Sequence, residues 1–310
     1  MTRKALILGS SGRFGGAMTD ALWQAGWEVH LFQRGRDDLE QAAQGMDVIV
    51  NAWNPPYDRW AAELPEQTRA VIAAAQASGA RVLFPGNLYV YGPDAPSVLR
   101  ASTPHAATNP LGRLRIEIEE MYRAAGIKLL ILRAGDYIDL GDTGNWYDRV
   151  ITKPLRKGRI SYPGALDAPH AWAFLPDLTR AGVALLDRDL PDQHEVLYPG
   201  YTLSGAQMAL ALCLATDRRI TARTMAWGPL RLAQVFMPFI KGMFEMRYLW
   251  SKPHSIDPKD FAADLPDFRP TTPVDALAQT SAVRGLADAH PPRPDRGSQA
   301  APPRSPARAT

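Results

Sequence analysis

The sequence predicts an α/β protein with a doubly wound parallel sheet followed by a smaller C-terminal subdomain. Two observations lead to this prediction. Short apolar segments alternate with helical segments over about the first 190 residues, and this alternation is typical of parallel strands joined by crossover helices. Beyond about residue 135 the alternation weakens and Gly, Trp, Tyr and Pro become frequent, so we expect a cleft to begin there.

The elements of the sheet follow one another in order along the chain. Short apolar runs indicate buried strands, because a helix usually needs about ten residues or more. The predicted strands lie at residues 5–8, 28–32, 47–51, 81–84 and 128–132. The predicted helices span residues 13–25, 37–44, 66–78, 112–125 and 176–186. Gly26, Gly79 and Gly126 follow three of these helices, as is common at helix ends.

A glycine-rich turn joins the first strand to the first helix, with the spacing G-x-x-G-x-x-G. The amides at the start of a helix favour a negatively charged group such as a diphosphate. A side chain at Gly9 or Gly12 would obstruct the turn or the ligand, and Gly15 lets the helix pack close to the strand. The turn therefore predicts a Rossmann-type dinucleotide site, although a tight turn without a ligand is the alternative interpretation. The predicted contacts are Gly9, Ser11, Gly12, Arg13, Phe14 and Gly15.

The end of the second strand indicates which dinucleotide is preferred. Sites for NAD usually carry an acidic residue here, which binds the ribose hydroxyls, but this chain has Phe32, Gln33 and Arg34. The guanidinium of Arg34 suits a 2′-phosphate. We therefore expect NADP(H) rather than NAD(H); the alternative is that Arg34 is a solvated surface residue.

These features divide the chain into three parts. Residues 1–190 form the predicted dinucleotide-binding domain, which includes part of the cleft from about residue 135. Residues 191–284 form a mainly helical C-terminal substrate subdomain. Residues 285–310 are rich in Pro, Arg and Ala without apolar periodicity, and we expect this tail to be disordered.

Composition and charge exclude several classes of protein. The chain has 310 residues, of which 46% are hydrophobic and 22% charged, as in ordinary globular proteins. The net charge of +3 gives little support to nucleic-acid binding, and no apolar stretch reaches the roughly 18 residues of a transmembrane helix. The single cysteine, Cys213, fits a reducing compartment such as the cytoplasm. The six histidines show no metal-ligand spacing, so no metal site is expected.

Several motifs together resemble the extended short-chain dehydrogenase/reductase superfamily of the NAD-dependent epimerase/dehydratase type, over about residues 3–190. Besides the glycine turn, they are Asp-Val-Ile-Val-Asn-Ala at 47–52, Tyr-Val-Tyr-Gly at 89–92, Ile-Leu-Arg-Ala-Gly at 131–135 and Phe-Leu-Pro-Asp at 174–177. The resemblance implies that Asn51 and Ala52 lie near the cofactor ribose. Only 14 residues separate Phe32 from Asp47, so we expect the family's third strand to be absent or vestigial.

The chain departs from the family where the family's catalytic residues lie. The family carries Y-x-x-x-K, in which the tyrosine transfers a proton and the lysine holds the nicotinamide ribose. In this sequence Leu111 and Arg115 occupy those positions. Leucine transfers no proton, whereas Arg115 can still hold the ribose. The family's Ser or Thr falls on Asn87, which can hydrogen-bond an oxygen atom.

Other side chains must therefore carry the proton if a reaction occurs. Tyr89 and Tyr91 follow one strand, and Asp136 and Tyr137 follow another, at the edge of the sheet where ligands bind in such folds. Aromatic packing and loop capping are the alternative roles of these residues, and His170 is a further candidate. The predicted catalytic set is Tyr137, Asp136, Tyr91, Asn87 and Arg115.

The sequence favours an NADP(H)-binding oxidoreductase or epimerase/dehydratase-like enzyme that acts on a small organic substrate through a non-standard active site. The alternative is a catalytically inactive dinucleotide-binding sensor or assembly protein. The aromatic residues near 137–172 and the Met- and Trp-rich segment 225–250 predict either a bulky apolar substrate pocket or the core of the C-terminal subdomain. Homo-oligomer formation is left open.

Overall fold

The computed structural model describes residues 2–233 and 237–287. Its strands are β1 Lys4–Leu8, β2 Glu28–Leu31, β3 Val48–Asn51, β4 Arg81–Gly86, β5 Val98–Leu99, β6 Leu129–Arg133, β7 Asp136–Ile138, β8 Arg159–Tyr162, β9 Ala171–Phe174, β10 Gln193–Leu197, β11 Tyr201–Thr202, β12 Thr221–Thr224 and β13 Ser255–Ile256. Its α-helices are α1 Arg13–Gln24, α2 Leu39–Ala43, α3 Trp60–Ser78, α4 Pro110–Ala124, α5 Leu175–Leu186, α6 Gly205–Thr216, α7 Gly228–Ala233, α8 Pro238–Glu245, α9 Lys259–Asp264, α10 Pro273–Ala278 and α11 Ser281–Ala287. Shorter 3-10 or π turns span Tyr57–Arg59, Leu88–Tyr91, Tyr147–Ile151, Leu155–Lys157 and Met246–Trp250.

The main sheet confirms the predicted doubly wound parallel architecture. Among the described residues it has the strand order β10-β6-β4-β3-β1-β2, and all its paired strands are parallel. Successive side chains of a strand point to opposite faces. Ala5 and Ile7 of β1 accordingly pack with α1 and α5, whereas Leu6 and Leu8 pack with α3 and α4. Helices therefore cover both faces, and the central strands are buried.

The expectation that the third strand is missing is also confirmed. Between β2 and β3 the chain forms only the short helix α2 as a regular element, and β2 pairs with β1 alone. The strand β2 is therefore an edge of the sheet, and Leu31 at its end is 43% exposed.

Three predicted boundaries need correction. Helix α3 begins at Trp60 and contains Pro65, because buried Trp60 and Leu64 anchor an extra turn that tolerates the proline. The sheet continues past residue 190, because α5 returns the chain to pair β10 with β6. Helix α11 covers residues 285–287, where Leu286 is buried; the rest of the predicted tail, 288–310, lies outside the described residues.

Outside the main sheet, residues between 138 and 286 form a separate core. Three small sheets are also present among the described residues, β11-β9-β7, β12-β8 and β13-β5. Much of the predicted aromatic run belongs to this core rather than to a pocket. The residues of that run that are buried in this core are Tyr147, Tyr162, Trp172, Trp227 and Trp250. No helix within residues 2–233 and 237–287 is long and apolar enough to cross a membrane.

Candidate active site

A cavity of about 2050 Å³ lies at the carboxyl ends of the main sheet's central strands. The segments that follow β1, β3 and β4 line it, together with the start of β7 and part of α4. Parallel strands bring their carboxyl ends to one edge, so residues far apart in sequence meet there. The predicted catalytic residues Asn87, Arg115, Asp136 and Tyr137 line this one cavity, and so do the glycine-turn residues 9–14. Gly15 is not among the lining residues, which corrects its prediction as a cofactor contact.

The glycine turn has the backbone shape that a diphosphate site requires. Gly9 has a φ of +83°, a conformation that favours glycine, and a Cβ there would lie 3.0 Å from the Ala52 carbonyl oxygen. A Cβ on Gly15 would lie 2.2 Å from the Gly9 carbonyl oxygen, so this residue serves the close packing of α1, as predicted. Gly12 at the N-cap of α1 has no side chain to occupy the helix's first amides, which fits an anionic ligand.

The arginines of this region have different surroundings. Arg13 donates to the carbonyl oxygens of Thr143 at 3.0 Å and Gly144 at 2.7 Å, and so ties the glycine turn to the opposite rim of the cavity. Arg34 lines the cavity, and its guanidinium carbon lies 4.7 Å from the centre of the Trp53 ring. The side chain of Arg34 is 59% exposed, with a carboxylate oxygen of Glu63 at 4.0 Å.

The remaining residues predicted to contact the cofactor are divided between the cavity and the core. Ser11, Phe14 and Ala52 line the cavity. Asn51 does not, which corrects the prediction for this residue: it is 4% exposed, and its amide donates to the Tyr122 hydroxyl at 2.7 Å. As the last residue of β3, Asn51 alternates toward the face covered by α4, which carries Tyr122.

Arg115 of α4 lines the cavity. Arg115 is 4% exposed, donates to the Pro85 carbonyl oxygen at 2.8 Å and leaves its buried Nε without a partner in the described part of the chain. Burial lowers the pKa of Arg115. Leu111, one turn earlier on α4, is buried outside the cavity, and its backbone amide donates to a carboxylate oxygen of Glu245 at 2.6 Å.

Two neighbouring residues of β7, Asp136 and Tyr137, line the cavity. Burial raises the pKa of Tyr137 to about 12, although the positive charges of Arg115 and Arg13 act in the opposite direction. The phenol is therefore protonated at neutral pH. Asp136 accepts a hydrogen bond at 2.8 Å from Nε2 of His170.

The 3-10 turn after β4 separates the two tyrosines that sequence analysis grouped together. Tyr89 lines the cavity, whereas Tyr91 is 2% exposed and packs outside it, with its ring 5.4 Å from that of His105. This corrects the prediction for Tyr91: residues two apart in a 3-10 turn cannot share a face. Asn87 caps the turn by accepting from the Tyr89 amide at 3.0 Å.

Two cavity residues escaped the sequence analysis. The Tyr57 hydroxyl lies 2.6 Å from the Tyr89 hydroxyl, and burial raises the pKa of both phenols. His254 comes from a segment far along the chain, lines the cavity and is 3% exposed. Tyr57 follows the paired prolines 55 and 56, which indicate a turn, but no local signal marked His254.

A buried ion cluster of Arg133, Glu119, Glu195 and His105 lies just outside the cavity. The guanidinium of Arg133 is 2.7 Å from a carboxylate oxygen of each glutamate. Burial by itself raises the pKa of Glu195, but His105 and Arg133 outweigh it and lower this pKa to about 2. Ligand atoms of His105 and the two glutamates lie within 4.8 Å of one another, yet Arg133 already compensates their charge. That the protein has no metal site stays a prediction.

The sequence profile of the NAD dependent epimerase/dehydratase family matches residues 5–197. This range runs from β1 to the end of β10 and includes the glycine turn, Arg115, Asp136 and Tyr137. No curated protein is significantly similar to the chain in sequence.

Solved structures with the same fold cover nearly the whole chain. MoeE5 in complex with UDP-glucuronic acid and NAD has a TM-score of 0.68 at 13% identity, over 93% of this chain and 100% of that one. TunA, an NAD dependent NDP-hexosamine 5,6-dehydratase of tunicamycin biosynthesis, has a TM-score of 0.69 at 14% identity, over 93% and 99%. A putative epimerase from Burkholderia cenocepacia J2315 has a TM-score of 0.69 at 18% identity, over 92% and 98%. These TM-scores show a shared fold. The family profile matches more than half of the residues and therefore shows that the chain belongs to the NAD dependent epimerase/dehydratase family.

Proposed function

We propose that the protein is an NADP(H)-dependent oxidoreductase or epimerase/dehydratase-like enzyme that acts on a small organic substrate through a non-standard active site. One observation carries this proposal: the glycine turn, Arg115 and Tyr137 line a single cavity. A dinucleotide held by the turn and a substrate oxygen beside the phenol would then lie in the same cavity. The structural relatives named as acting with NAD support the same class of cofactor.

The chain's own residues fit a nicotinamide dinucleotide. The amides around Gly12 would hold the diphosphate. The buried guanidinium of Arg115, whose Nε has no partner among the described residues, would hold the nicotinamide ribose. Such a cofactor supplies or accepts a hydride when bound. Arg115 is a planar fork held at Pro85, so it positions hydroxyl groups more rigidly than a lysine would.

Tyr137 is the proposed acid and base. Because burial keeps its phenol protonated, Tyr137 is ready to give its proton to a carbonyl oxygen of the substrate as that carbonyl is reduced. The O–H bond of the phenol breaks and an O–H bond forms on the substrate. The phenolate that remains is stabilised by the positive charges of Arg115 and Arg13, which already act on this group. At neutral pH the phenol is thus in the protonated form that donation to a carbonyl oxygen requires.

The preference for NADP(H) rests on Arg34. The residues 32–34 at the end of β2 contain no carboxylate, and Arg34 presents a largely exposed guanidinium at the wall of the cavity. A 2′-phosphate would pair with this charge. The carboxylate of Glu63 at 4.0 Å is a competitor that the phosphate would displace.

The substrate end of the cavity is partly apolar, which supports a bulky apolar substrate. Trp60, Tyr89, Met243 and Leu249 line it. We also infer a cytoplasmic location, in keeping with the single cysteine of the chain.

Calorimetric titration of the full chain with NADPH and NADH tests the proposal. We expect NADPH to bind more tightly, and Gly12→Val to abolish binding, because its Cβ would lie 3.2 Å from the Gly9 carbonyl oxygen and its side chain would fill the diphosphate position. Gly228→Val is the matched control, since a Cβ there meets no atom within 4 Å. No binding of either dinucleotide at millimolar concentration would overturn the proposal. Binding without oxidation of NADPH by any of a panel of aldehydes, ketones and enones would favour the sensor or assembly protein instead.

A further inference from the structure

We infer that Asp136, His170 and His254 form a group, called here the acceptor triad, in which Asp136 and His254 accept hydrogen bonds from the hydroxyl groups of a neutral, diol-bearing substrate and His170 holds Asp136 in place. This inference rests on the proposed function, because it assigns the substrate class of the same cavity. It depends on which nitrogen of each imidazole ring carries a proton, and the hydrogen-bond partners determine this.

Asp136 provides the first acceptor. Its carboxylate lines the cavity, and its side chain is 29% exposed. One carboxylate oxygen accepts from Nε2 of His170 at 2.8 Å. The other oxygen accepts no hydrogen bond from the residues that the structure describes. An ionised carboxylate can only accept, so it calls for a donor from the substrate.

His170 holds Asp136 in place. The ring is 2% exposed and stacks on Trp250 with the ring centres 4.3 Å apart and the planes at 3°. Since a carboxylate accepts, Nε2 of His170 carries the proton that it donates to Asp136. Nδ1 has no hydrogen-bond partner within the described ranges. His170 is therefore a positioning residue.

His254 provides the second acceptor. It lines the cavity and is 3% exposed, and its Nδ1 lies 2.9 Å from the Lys252 carbonyl oxygen. A carbonyl oxygen accepts only, so Nδ1 must carry the proton and the neutral ring has its lone pair on Nε2. Burial lowers the pKa of His254 to about 3, and the neighbouring His170 acts in the same direction. The acceptor on Nε2 therefore persists at physiological pH.

The two acceptors flank one ring. His170 is bonded to Asp136, and the centre of its ring lies 4.5 Å from that of His254. Two neighbouring acceptors at the wall of one cavity match two neighbouring hydroxyl groups, each of which donates one hydrogen bond. Tyr137 follows Asp136 on β7 and lines the same cavity, so the bound diol would share that cavity with the group that we propose transfers the proton.

Charge disfavours an anionic group beside Asp136. A carboxylate or phosphate brings further lone pairs and a negative charge against Asp136, and Asp139 and Asp142 also line the cavity. A neutral hydroxyl donor does not meet this repulsion.

A matched pair of probes tests the assignment on the full chain. The first probe is 1-phenylethane-1,2-diol, and the second is mandelate, which has the same skeleton but a carboxylate in place of the CH₂OH group. In ¹⁵N NMR of the histidine rings, we expect His254 to carry its proton on Nδ1 and the diol to shift its Nε2 resonance. Mandelate should bind at least about tenfold more weakly, as expected for the loss of one hydrogen bond or more. A proton on Nε2 of His254, no shift with the diol, or binding of mandelate as tight as that of the diol would overturn the inference.

Ring-preserving variants separate a positioning role from a merely structural one. His254→Phe removes the acceptor nitrogen. His170→Phe keeps an aromatic ring on Trp250 but removes the N–H that holds Asp136. Each variant should weaken diol binding about tenfold. His170→Gln restores a donor and should recover part of the affinity. The control is His194→Gln, because His194 pairs with Asp264 at 3.0 Å outside the cavity. If both phenylalanine variants fold and their affinity for the diol is unchanged, the assignment is refuted. If they do not fold, the ¹⁵N NMR measurement of the His254 tautomer is the test that supports or refutes it.

Failure of this inference is distinguishable from failure of the proposed function. If the protein binds no dinucleotide but His254 has the expected tautomer and responds to the diol, the proposed function fails and the acceptor triad stands. If NADPH binds and is oxidised while the diol leaves the histidine resonances unchanged, only the acceptor triad is refuted.

Discussion

Replacing Arg133 by methionine should destabilise the protein by about 3 kcal/mol. Arg133 and Glu119 are both fully buried, and two bonds join them, NH1 to Oε1 at 3.1 Å and NH2 to Oε2 at 2.7 Å. Removing one partner of a buried ion pair costs about 3–5 kcal/mol, because the remaining charge is left in a low-dielectric interior. Arg123 lies 3.5 Å from Glu119 and compensates part of that charge, so we expect the lower end of the range.

Urea denaturation followed by circular dichroism measures this loss as a shift of the unfolding midpoint. Arg36→Met is the control, because Arg36 is an exposed surface residue with 74% of its side chain accessible; its replacement should change stability by no more than about 0.5 kcal/mol. The double variant with Glu119→Leu should regain about 1–2 kcal/mol, since it removes the uncompensated carboxylate. A loss below about 1 kcal/mol for Arg133→Met, or a double variant no more stable than the single one, would refute the reasoning.

Three further predictions concern the cavity. Tyr137→Phe should lower the rate of NADPH oxidation by about 10²–10⁴-fold while the calorimetric affinity for NADPH stays within about twofold; an equal loss of both would contradict its role in proton transfer. Arg34→Ala should weaken NADPH binding about tenfold or more and leave NADH binding unchanged, whereas Arg36→Ala should affect neither. The pKa of His254 is lowered to about 3 in the folded state, so the unfolded chain takes up the proton first as pH falls below about 6.5. The free energy of unfolding should therefore decline by about 1 kcal/mol per pH unit from there toward pH 3. Urea midpoints at pH 6.5 and 4.5 check this, and a His254→Phe variant with the same pH dependence as the wild type would contradict it.

Local backbone demands made the glycine-turn end of the cavity predictable. Gly9 and Gly15 are fixed by a positive φ and by close approach, and such demands leave a direct mark in the sequence. The short link before residue 47 likewise predicted the missing strand, because chain length limits what can be formed. Strand β10 was missed since its residues Gln-His-Glu-Val-Leu show no continuous apolar run at the sheet edge.

The substrate end could not be predicted in the same way, because tertiary packing decides which side chains reach it. Tyr89 and Tyr91 are the same residue type, so the sequence alone does not distinguish their roles. The 3-10 turn after β4 brings Tyr89 to the cavity and buries Tyr91 outside it. Asn51 matched a family motif, yet its partner Tyr122 turns it into the core. His254 comes from a segment that local patterns do not connect with the sheet.

The absence of one strand has a practical consequence for how the protein can be handled. With β2 as the outermost strand, the adenine end of a bound dinucleotide would lie at the margin of the sheet, next to Arg34 and Trp53 rather than beneath a further layer of backbone. Bulk attached to the adenine ring would then project into solvent. We therefore expect a resin that carries NADP⁺ tethered through its adenine to retain the protein, and free NADPH to elute it.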